Sequence, residues 1–442
     1  MSIVCVQLGQ CGNQLGNSFY DFLINECQNA SPAAQATLLD TFFYQKEEKS
    51  GNIQNYAKSL LIDMEPKVVQ SCLNSHKNDV WQFDPSNSFT QQEGSGNNWA
   101  YGYNVHGLKC RDKILQIFQK LLEEIDFCEG IFLLQSLAGG TGSGLGSFIL
   151  EMINDEYPEL NKMNVCVAPH LTGEVILQSY NCVLTITSLY QNTDGIILIE
   201  NDGIEEICNK LLNLKRPSLT EMNRVIAHQL SSVLFPVLPE SQKNSSGQQQ
   251  SVNYFSSLQN NFRYFNDIYD LLLTDPRYKI LSIKNVPQMP DASKSFQNDQ
   301  WSALEKRIFQ MQISNSMESN INWSKKIDSG IRSLGNILIG RGIDVQKQKF
   351  EMFAEPQIYK NQRVNYRYYK DSHQFNNNEK SISMISNSQF CVEPLSIISN
   401  RAHQMYREKA YLYQYEKYGI SQEEFFQSLA MFDQILFNYQ SI

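Results

Sequence analysis

Short apolar runs alternate with helical patterns along the first half of the chain. Ser2–Leu8 (SIVCVQL) is apolar and rich in β-branched residues, which predicts a buried strand. The apolar positions that come next have the spacing of one helix face, and they are Leu15, Phe19, Phe22 and Leu23. The chain therefore opens with a strand, a glycine-containing turn and a helix.

The same unit of strand, loop and helix recurs along the next 200 residues. Its further strands are predicted at Ser59–Ile62, Ile131–Leu134, Val165–Val167 and Ile196–Ile199. Strands that alternate with helices in this way form mainly parallel sheets covered on both faces, which is an α/β fold. Because ligands bind at the carboxyl ends of such strands, we expect the loops that follow them to converge on one edge.

The pattern changes in the second half. A long helix is predicted over Leu219–Phe235, followed by a polar, aperiodic loop over Ser241–Gln250. Short strands then mix with one helix (Trp301–Ser314), which indicates a second, mixed α/β domain. These strands are Tyr278–Val286, Asn336–Ile339, Val364–Tyr369 and Ser381–Ile385. From Val392 onward the sequence is helical and only Gly419 interrupts it, with one stripe formed by Ala402, Met405, Tyr406, Ala410 and Tyr413.

Composition and charge exclude several classes of protein. Hydrophobic residues make up 42% of the 442 residues, which is enough for a large core and argues against a disordered chain. A formal charge of −9 without a basic run argues against binding to nucleic-acid phosphates. No apolar stretch reaches the length of about 18 residues that a membrane helix requires. The ten cysteines form no CxxC pair, so we expect reduced thiols and a cytoplasmic protein.

Three of the loops carry candidate chemistry. Ala138–Gly144 reads AGGTGSG, and its glycines, together with the start of a predicted helix, suit phosphate binding through backbone amides. This loop lacks the lysine of a P-loop and the register of a dinucleotide motif. Gln10 and Cys11 lie in the first turn, where an amide can donate to phosphate or contact a base. Asp63 and Glu65 close a third loop and suit Mg²⁺ or its waters, with a helix cap or surface charge as the alternative.

Five motifs stand in the order and spacing of the nucleotide-binding loops of tubulins. They are GQCGNQLG at 9–16, DMEP at 63–66, GSGNNWAYG at 94–102, SLAGGTGSG at 136–144 and END at 200–202. Downstream segments agree, among them NRVIAHQLSSV at 223–233 and EKAYLYQYEKYGISQEEF at 408–425. The chain thus resembles the tubulin family over essentially its whole length. Within that family, its opening and the segments 278–290 and 386–395 are most similar to the delta branch.

The resemblance implies the tubulin fold and its cofactors. This fold has a Rossmann-like, parallel-sheet GTP-binding domain over 1–215 and a core helix over 216–238. An intermediate mixed α/β domain over 239–375 and a C-terminal β-strand and helical region over 376–442 complete it. The implied cofactors are GTP or GDP and Mg²⁺. The sequence ends FDQILFNYQSI rather than in the acidic tail of alpha- and beta-tubulins, so partners of that tail are not expected.

The resemblance also implies the residues of the site. Those expected to contact the nucleotide are Gln10, Cys11, Asn97, Ser136, Ala138, Gly139, Gly140, Thr141, Gly142, Ser143, Gly144, Gln178, Asn201 and Asn223. Asn97 would lie in the loop that senses the terminal phosphate. Asn201 and Asn223 would recognise guanine, because an amide offers both a donor and an acceptor to its edge. Glu65 would hold Mg²⁺, with Asp63 as a second possible ligand.

Three positions depart from the family's pattern. Ala138 replaces a usual glycine, which a methyl group permits where φ is negative. Gln178 replaces a glutamate that contacts the ribose, so its hydrogen bonds lack charge assistance. Leu219 replaces an aromatic residue that stacks on guanine, so roughly 1–3 kcal/mol of stacking is lost. We therefore expect weaker nucleotide binding than in alpha- and beta-tubulin.

The resemblance implies that any hydrolysis is shared between two subunits. In tubulins a longitudinal neighbour inserts an acidic residue over the nucleotide. Counting back without gaps from DPR at 275–277 places Asp267 at that position, with Asp270 one turn later. Such a carboxylate would orient or deprotonate the attacking water. The alternative is that both are solvated acids on a helix surface.

Three functions are compatible with these observations. The leading interpretation is a GTP-binding structural protein of the microtubule cytoskeleton that acts in centriole and basal-body assembly and at the base of the cilium. Its expected partners are other tubulins and centriole or basal-body proteins, and neither nucleic acid nor a membrane. The second is a polymerising GTPase like alpha- and beta-tubulin. The C-terminal sequence, which is not an acidic tail, and the divergent segment 241–270 argue against it. A dinucleotide-binding metabolic enzyme is the third, although the loops contain no GxGxxG motif and no catalytic histidine or lysine; His228 and His403 lie on helical stripes instead.

Overall fold

One ten-stranded sheet organises the protein. The structure is a computed structural model that describes residues 2–47, 51, 53–76, 80–173, 175–238 and 264–442. The predicted loop Ser241–Gln250 therefore lies outside the described residues. The strands are β1 (Ser2–Leu8), β2 (Phe43–Glu47), β3 (Ile53–Ala57), β4 (Ser59–Asp63), β5 (Trp81–Gln82), β6 (Ser88–Thr90), β7 (Cys128–Ser136), β8 (Asn161–Ala168), β9 (Gly195–Glu200), β10 (Ile280–Val286), β11 (Ser333–Gly342), β12 (Tyr366–Asp371) and β13 (Lys380–Ser388).

The large sheet is mainly parallel, as the sequence predicts. Its strand order is β6-β4-β1-β7-β8-β9-β10-β13-β11-β12, and every neighbouring pair from β6 to β10 is parallel. Strand β13 runs antiparallel to both β10 and β11. The strands of the second half therefore continue the first sheet, joined to it where Ile280 and Leu281 of β10 pair with β9. The four domain boundaries proposed above stay a prediction.

Helices cover the sheet on both faces. They are α1 (Gly9–Cys27), α2 (Pro32–Phe42), α3 (Pro66–Ser75), α4 (Leu108–Glu123), α5 (Gly146–Glu156), α6 (Gln178–Asn192), α7 (Asn201–Lys210), α8 (Leu219–Leu234), α9 (Tyr264–Leu272), α10 (Asp291–Lys294), α11 (Trp301–Ser314), α12 (Val392–Arg407), α13 (Leu412–Glu416) and α14 (Gln422–Gln440). Two π-helical turns, Tyr101–Gly107 and Thr141–Leu145, lead into α4 and α5. In the part of the chain described, no helix is both long and apolar enough to cross a bilayer.

Strand β1 shows why both faces are covered. Ile3 and Cys5 point into a core formed with α1, α3 and α8. Val4 and Val6 point into a second core formed with α4, α5, α6 and the C-terminal helices. Because successive side chains of a strand alternate between faces, a strand that is apolar throughout must be buried on both. The run SIVCVQL satisfies that condition.

The core helix α8 begins where the sequence predicts. Ser218 and Glu221 form a capping box, in which the serine side chain accepts from the Glu221 amide and the glutamate accepts from the Ser218 amide. Further along, His228 is buried and its Nδ1 lies 2.9 Å from the Asn285 side-chain amide. Burial lowers the pKa of His228 to about 3, so the ring stays neutral. This histidine is therefore a core residue.

The C-terminal stripe continues less far than predicted. Helix α12 ends at Arg407, and the next helix begins only at Leu412. Lys409 and Tyr411 have left-handed φ values of 51° and 60°, which no continuous helix allows. The prediction that only Gly419 interrupts the helical region is therefore wrong. Tertiary contacts of the segment that follows the break, described below, outweigh its local helical preference.

Candidate functional site

The loops after the parallel strands meet at one edge, as expected. A methyl group on Gly9 would lie 2.9 Å from the backbone nitrogen of Gly142, so the loops after β1 and β7 touch. The hydroxyls of Ser95 and Thr141 lie 2.8 Å apart, which brings the 94–99 loop to the same place. The strand polarity places all of these segments at the carboxyl edge of the sheet.

Close approach, rather than unusual φ, explains the glycines of the AGGTGSG loop. None of its four glycines has a positive φ. A methyl group on Gly144 would lie 2.1 Å from the Trp99 carbonyl oxygen, and one on Gly140 would lie 2.6 Å from the Ser95 Cβ. A methyl group on Gly139 would meet nothing within 4 Å. This loop is therefore packed on one side and open at Gly139.

The departure at Ala138 fits the backbone. Its φ is not positive, so the methyl group causes no strain. The Ala138 amide donates to Ser136 Oγ at 3.3 Å, and the Ser143 hydroxyl donates to the Gly139 carbonyl. The Thr141–Leu145 turn is continuous with α5, because the Gly146 amide donates to the Thr141 carbonyl. The first amides of this turn are therefore the ones that a helix start leaves without carbonyl partners within the helix. Such a helix start is suited to an anion.

Left-handed backbone conformations occur in a different loop of the site, the one that follows Glu93. Gly96 and Asn97 have φ values of 56° and 52°. Asparagine tolerates this conformation better than most residues do. The Asn97 side chain is exposed at the tip of the loop, next to the AGGTGSG segment. The position suits contact with the end of a phosphate chain.

Asn181 on α6 joins these two loops, and sequence analysis did not identify it. Its side-chain nitrogen donates to the Asn97 carbonyl at 2.8 Å and to the Ala138 carbonyl at 2.7 Å. Its side-chain oxygen accepts from the Trp99 amide at 3.1 Å. Asparagine in the middle of an apolar helix was the available signal, since that residue competes with helical hydrogen bonding.

The two acidic candidates differ in accessibility. Glu65 is exposed, and a methyl group on Gly94 would lie 2.8 Å from its Oε1, so this carboxylate reaches the 94–99 loop. Asp63 is buried and accepts from the Glu65 amide at 3.4 Å. Burial raises the pKa of Asp63 to about 6. Glu65 is therefore better placed than Asp63 to hold a cation beside the loops.

Gln10 and Cys11 occupy the first turn of α1. The Gln10 side chain is exposed and that of Cys11 is half-buried. Burial raises the pKa of Cys11 to about 12, so it is a neutral thiol at physiological pH. A neutral thiol is compatible with packing against a ligand and unsuited to nucleophilic chemistry.

The candidate base-binding residues lie on α6, α7 and α8. Asn201 is the first residue of α7, and Asn223 is 8% exposed on α8, which packs against α7. Neither amide forms a side-chain hydrogen bond among the described residues. Gln178 donates to the His170 carbonyl at 3.1 Å. Leu219 is 56% exposed at the start of α8, in line with a surface that lacks an aromatic cover.

Asp267 lies at the opposite edge of the sheet. Its helix, α9, packs at the beginning of the strands: Phe265 contacts Phe132, and Tyr269 lies 3.5 Å from Asp194, which precedes β9. Asp267 itself accepts from Arg367 at 3.1 Å. The structure therefore keeps Asp267 apart from the nucleotide loops of its own chain. Such a separation is required of a residue that acts on a neighbouring subunit.

Comparisons with known proteins agree with this geometry. Residues 2–209 match the family described as "Tubulin/FtsZ family, GTPase domain". The chain is 38% identical to the tubulin delta chain of Macaca fascicularis and 37% identical to that of Homo sapiens, over 99% of each chain in both cases. It is 36% identical to the tubulin delta chain of Mus musculus over 100% of both chains. Matches of this extent and identity establish that the chain belongs to the tubulin family and, within it, is most similar to the delta-tubulins.

Proposed function

We propose that this tubulin binds GTP or GDP with Mg²⁺ in the loops at the carboxyl edge of the sheet and serves as a structural protein of centrioles and basal bodies. The observation that carries the first part is the convergence of three loops around the start of α5. The second part is supported by full-length similarity to proteins named tubulin delta chain.

The phosphate end of the site is built from backbone. Gly139 is open to the exterior, while Gly140 and Gly144 are packed against the 95–99 segment. The first amides of the Thr141–Leu145 turn, which is continuous with α5, and the partial positive charge of this helix N-terminus attract phosphate oxygens. Glu65 would hold Mg²⁺, whose charge offsets that of the phosphates. Backbone donors of this kind bind phosphate without a lysine.

The base end of the site is built from side chains. Asn201 and Asn223 would hydrogen-bond the guanine edge, and their amides have no competing partner among the described residues. Adenine presents the opposite pattern of donors and acceptors, so it would leave these amides unpaired. Unpaired buried polar groups oppose binding strongly, which is how such a site discriminates.

Guanine specificity provides the first test. We expect GTP, but not ATP, to displace a fluorescent GTP analogue from the purified protein at micromolar concentration. Asn223→Ala should reduce the preference for GTP about tenfold, because one base contact is lost. Asn209→Ala, which removes an exposed asparagine on α7, is the matched control and should change nothing. Equal competition by ATP and GTP would disprove the proposed site.

The cellular role is tested by location and loss of function. We expect the tagged protein at basal bodies or centrioles, and incomplete triplet microtubules after its depletion, as judged by electron microscopy of cross-sections. Uniform labelling of cytoplasmic and axonemal microtubules, with normal triplets after depletion, would favour a polymerising tubulin instead. This measurement is independent of nucleotide binding, so the two parts of the proposal can fail separately.

A further inference from the structure

A single buried amide connects the nucleotide loops to the C-terminal helices. We propose that Asn181 and Tyr415 are positioning residues that make the C-terminal helices part of the nucleotide site and set its discrimination between GTP and GDP. The inference rests on the proposed function of the same loops. It goes beyond that function by assigning part of the specificity to residues that do not touch the nucleotide.

The first step is the completeness of the bonding at Asn181. The residue is 0% exposed. Besides its bonds to the Asn97 and Ala138 carbonyls and the Trp99 amide, it accepts the Tyr415 hydroxyl proton at 2.7 Å. A side-chain amide has two donors and about two acceptor positions, so all of them are used. Aspartate has the same shape but no donors, and it would face two carbonyl oxygens with negative charge.

The second step concerns the two loops that contain the carbonyls bonded by Asn181. The Ala138 carbonyl lies at the start of the AGGTGSG loop, and the Asn97 carbonyl lies in the left-handed tip of the 94–99 loop. One NH₂ group holds both carbonyls, so it fixes the separation of the two loops. A terminal phosphate bound between them would find that separation already set, and preorganisation of this kind adds affinity without a new contact.

The third step is the link to the C-terminal segment. Tyr415 is fully buried, with its ring centroid 5.6 Å from that of Tyr180 and 5.4 Å from that of Phe425. Two further bonds tie the same stretches together: Asn98 donates to the Gln414 carbonyl at 3.2 Å, and Asn104 donates to the Tyr418 carbonyl at 2.8 Å. A displacement of the 97–104 segment must therefore displace residues 414–418 or break these bonds.

A reciprocal effect follows from this connection. GTP and GDP can stabilise the same position of the 94–99 loop to different extents. If GTP stabilises it more, then contacts of the C-terminal segment that also stabilise this position raise the affinity for GTP more than the affinity for GDP. The Tyr415 hydroxyl is the contact that can be removed without disturbing packing. Its loss should therefore weaken GTP binding more than GDP binding.

The test is Tyr415→Phe, compared with Tyr180→Phe as a matched control. Tyr180 is adjacent to Asn181 and equally buried, and its hydroxyl has no hydrogen-bond partner among the described residues. Dissociation constants for fluorescent GTP and GDP analogues would be measured by titration of the full chain, alongside thermal unfolding. We expect Tyr415→Phe to lower the ratio of GTP to GDP affinity about threefold to tenfold, as loss of one hydrogen bond allows. Tyr180→Phe should leave this ratio unchanged.

The outcomes separate this inference from the proposed function. An unchanged ratio in Tyr415→Phe, with wild-type nucleotide binding intact, would overturn the positioning role even if the variant unfolds at a lower temperature. A wild-type protein that binds neither nucleotide would overturn the proposed site itself. Asn181→Asp should reduce affinity for both nucleotides more than Tyr415→Phe does. If this second variant does not fold, the Tyr415→Phe comparison still decides.

Discussion

Gly139→Ala is expected to weaken nucleotide binding strongly while the protein stays folded. A methyl group at this position meets no protein atom within 4 Å, so the packing of the unliganded chain does not oppose it. It would instead occupy the open side of the AGGTGSG loop, where the phosphates are proposed to approach the backbone. Loss of that approach should raise the dissociation constant for GTP at least about tenfold to a hundredfold, or roughly 1.4–2.8 kcal/mol. Titration with a fluorescent GTP analogue measures the change.

Gly144→Ala is the counterpart of this experiment. Its methyl group would lie 2.1 Å from the Trp99 carbonyl oxygen, which is backbone and cannot move alone. We expect the free energy of unfolding to fall by about 1–3 kcal/mol, the usual effect of overpacking. Denaturant unfolding of both variants would distinguish a lost ligand from a lost fold. If Gly139→Ala binds GTP normally, the phosphates do not occupy the open side of the loop.

Turnover of GTP is expected only when two subunits stack end to end, and Asp267→Asn should abolish it. In one chain Asp267 lies at the opposite edge of the sheet from the loops, so it can act only on a neighbour. A well-placed general base contributes about 10²–10⁴ in rate, which makes the loss easy to measure. The assay is phosphate release against protein concentration, alone and with other purified tubulins.

The ion pair of Asp267 sharpens the design of this assay. Its side chain is 14% exposed and paired with Arg367, whereas Asp270 on the same helix is exposed. Asp270→Asn is therefore the matched control, and it should retain stimulated turnover. If only Asp270→Asn loses turnover, the shared site stands with the other carboxylate as its base. Rapid GTP hydrolysis per subunit that does not depend on protein concentration would contradict a site shared between two subunits.

The sequence predicts the sheet well because its signal is local. Each of the five predicted strands of the first half contains a continuous apolar run, which the structure extends at its ends, as from Ile131–Leu134 to Cys128–Ser136. Strands β2, β3, β5 and β6 contain no apolar run of this length and are not among the predicted strands. Burial on both faces requires such runs, so periodicity identifies them. The convergence of the loops then follows from strand polarity alone. Helix Trp301–Ser314 has the predicted bounds for the same local reason.

Features that depend on distant contacts could not be predicted in this way. The break between Arg407 and Leu412 contains neither glycine nor proline, and two non-glycine residues adopt left-handed conformations there. The hydrogen bonds of Asn98 and Asn104 to the C-terminal segment give the physical reason. Asn181 was missed similarly, because a polar residue within a helix has no visible role until its four partners are known. The close approach of Gly144 to Trp99 also depends on two separate loops.

The bond between Asn181 and Tyr415 has a consequence for protein synthesis. The two residues are separated by 234 positions, so a growing chain emerges from the ribosome with the nucleotide loops long before the residue that completes their support. At about 5–20 residues per second, that interval is on the order of 10 to 50 seconds. During this time the α6 amide lacks its buried hydroxyl partner, and the apolar face that later receives α12 and α14 is exposed. The nascent protein must therefore be protected from aggregation until nearly the entire chain has been translated.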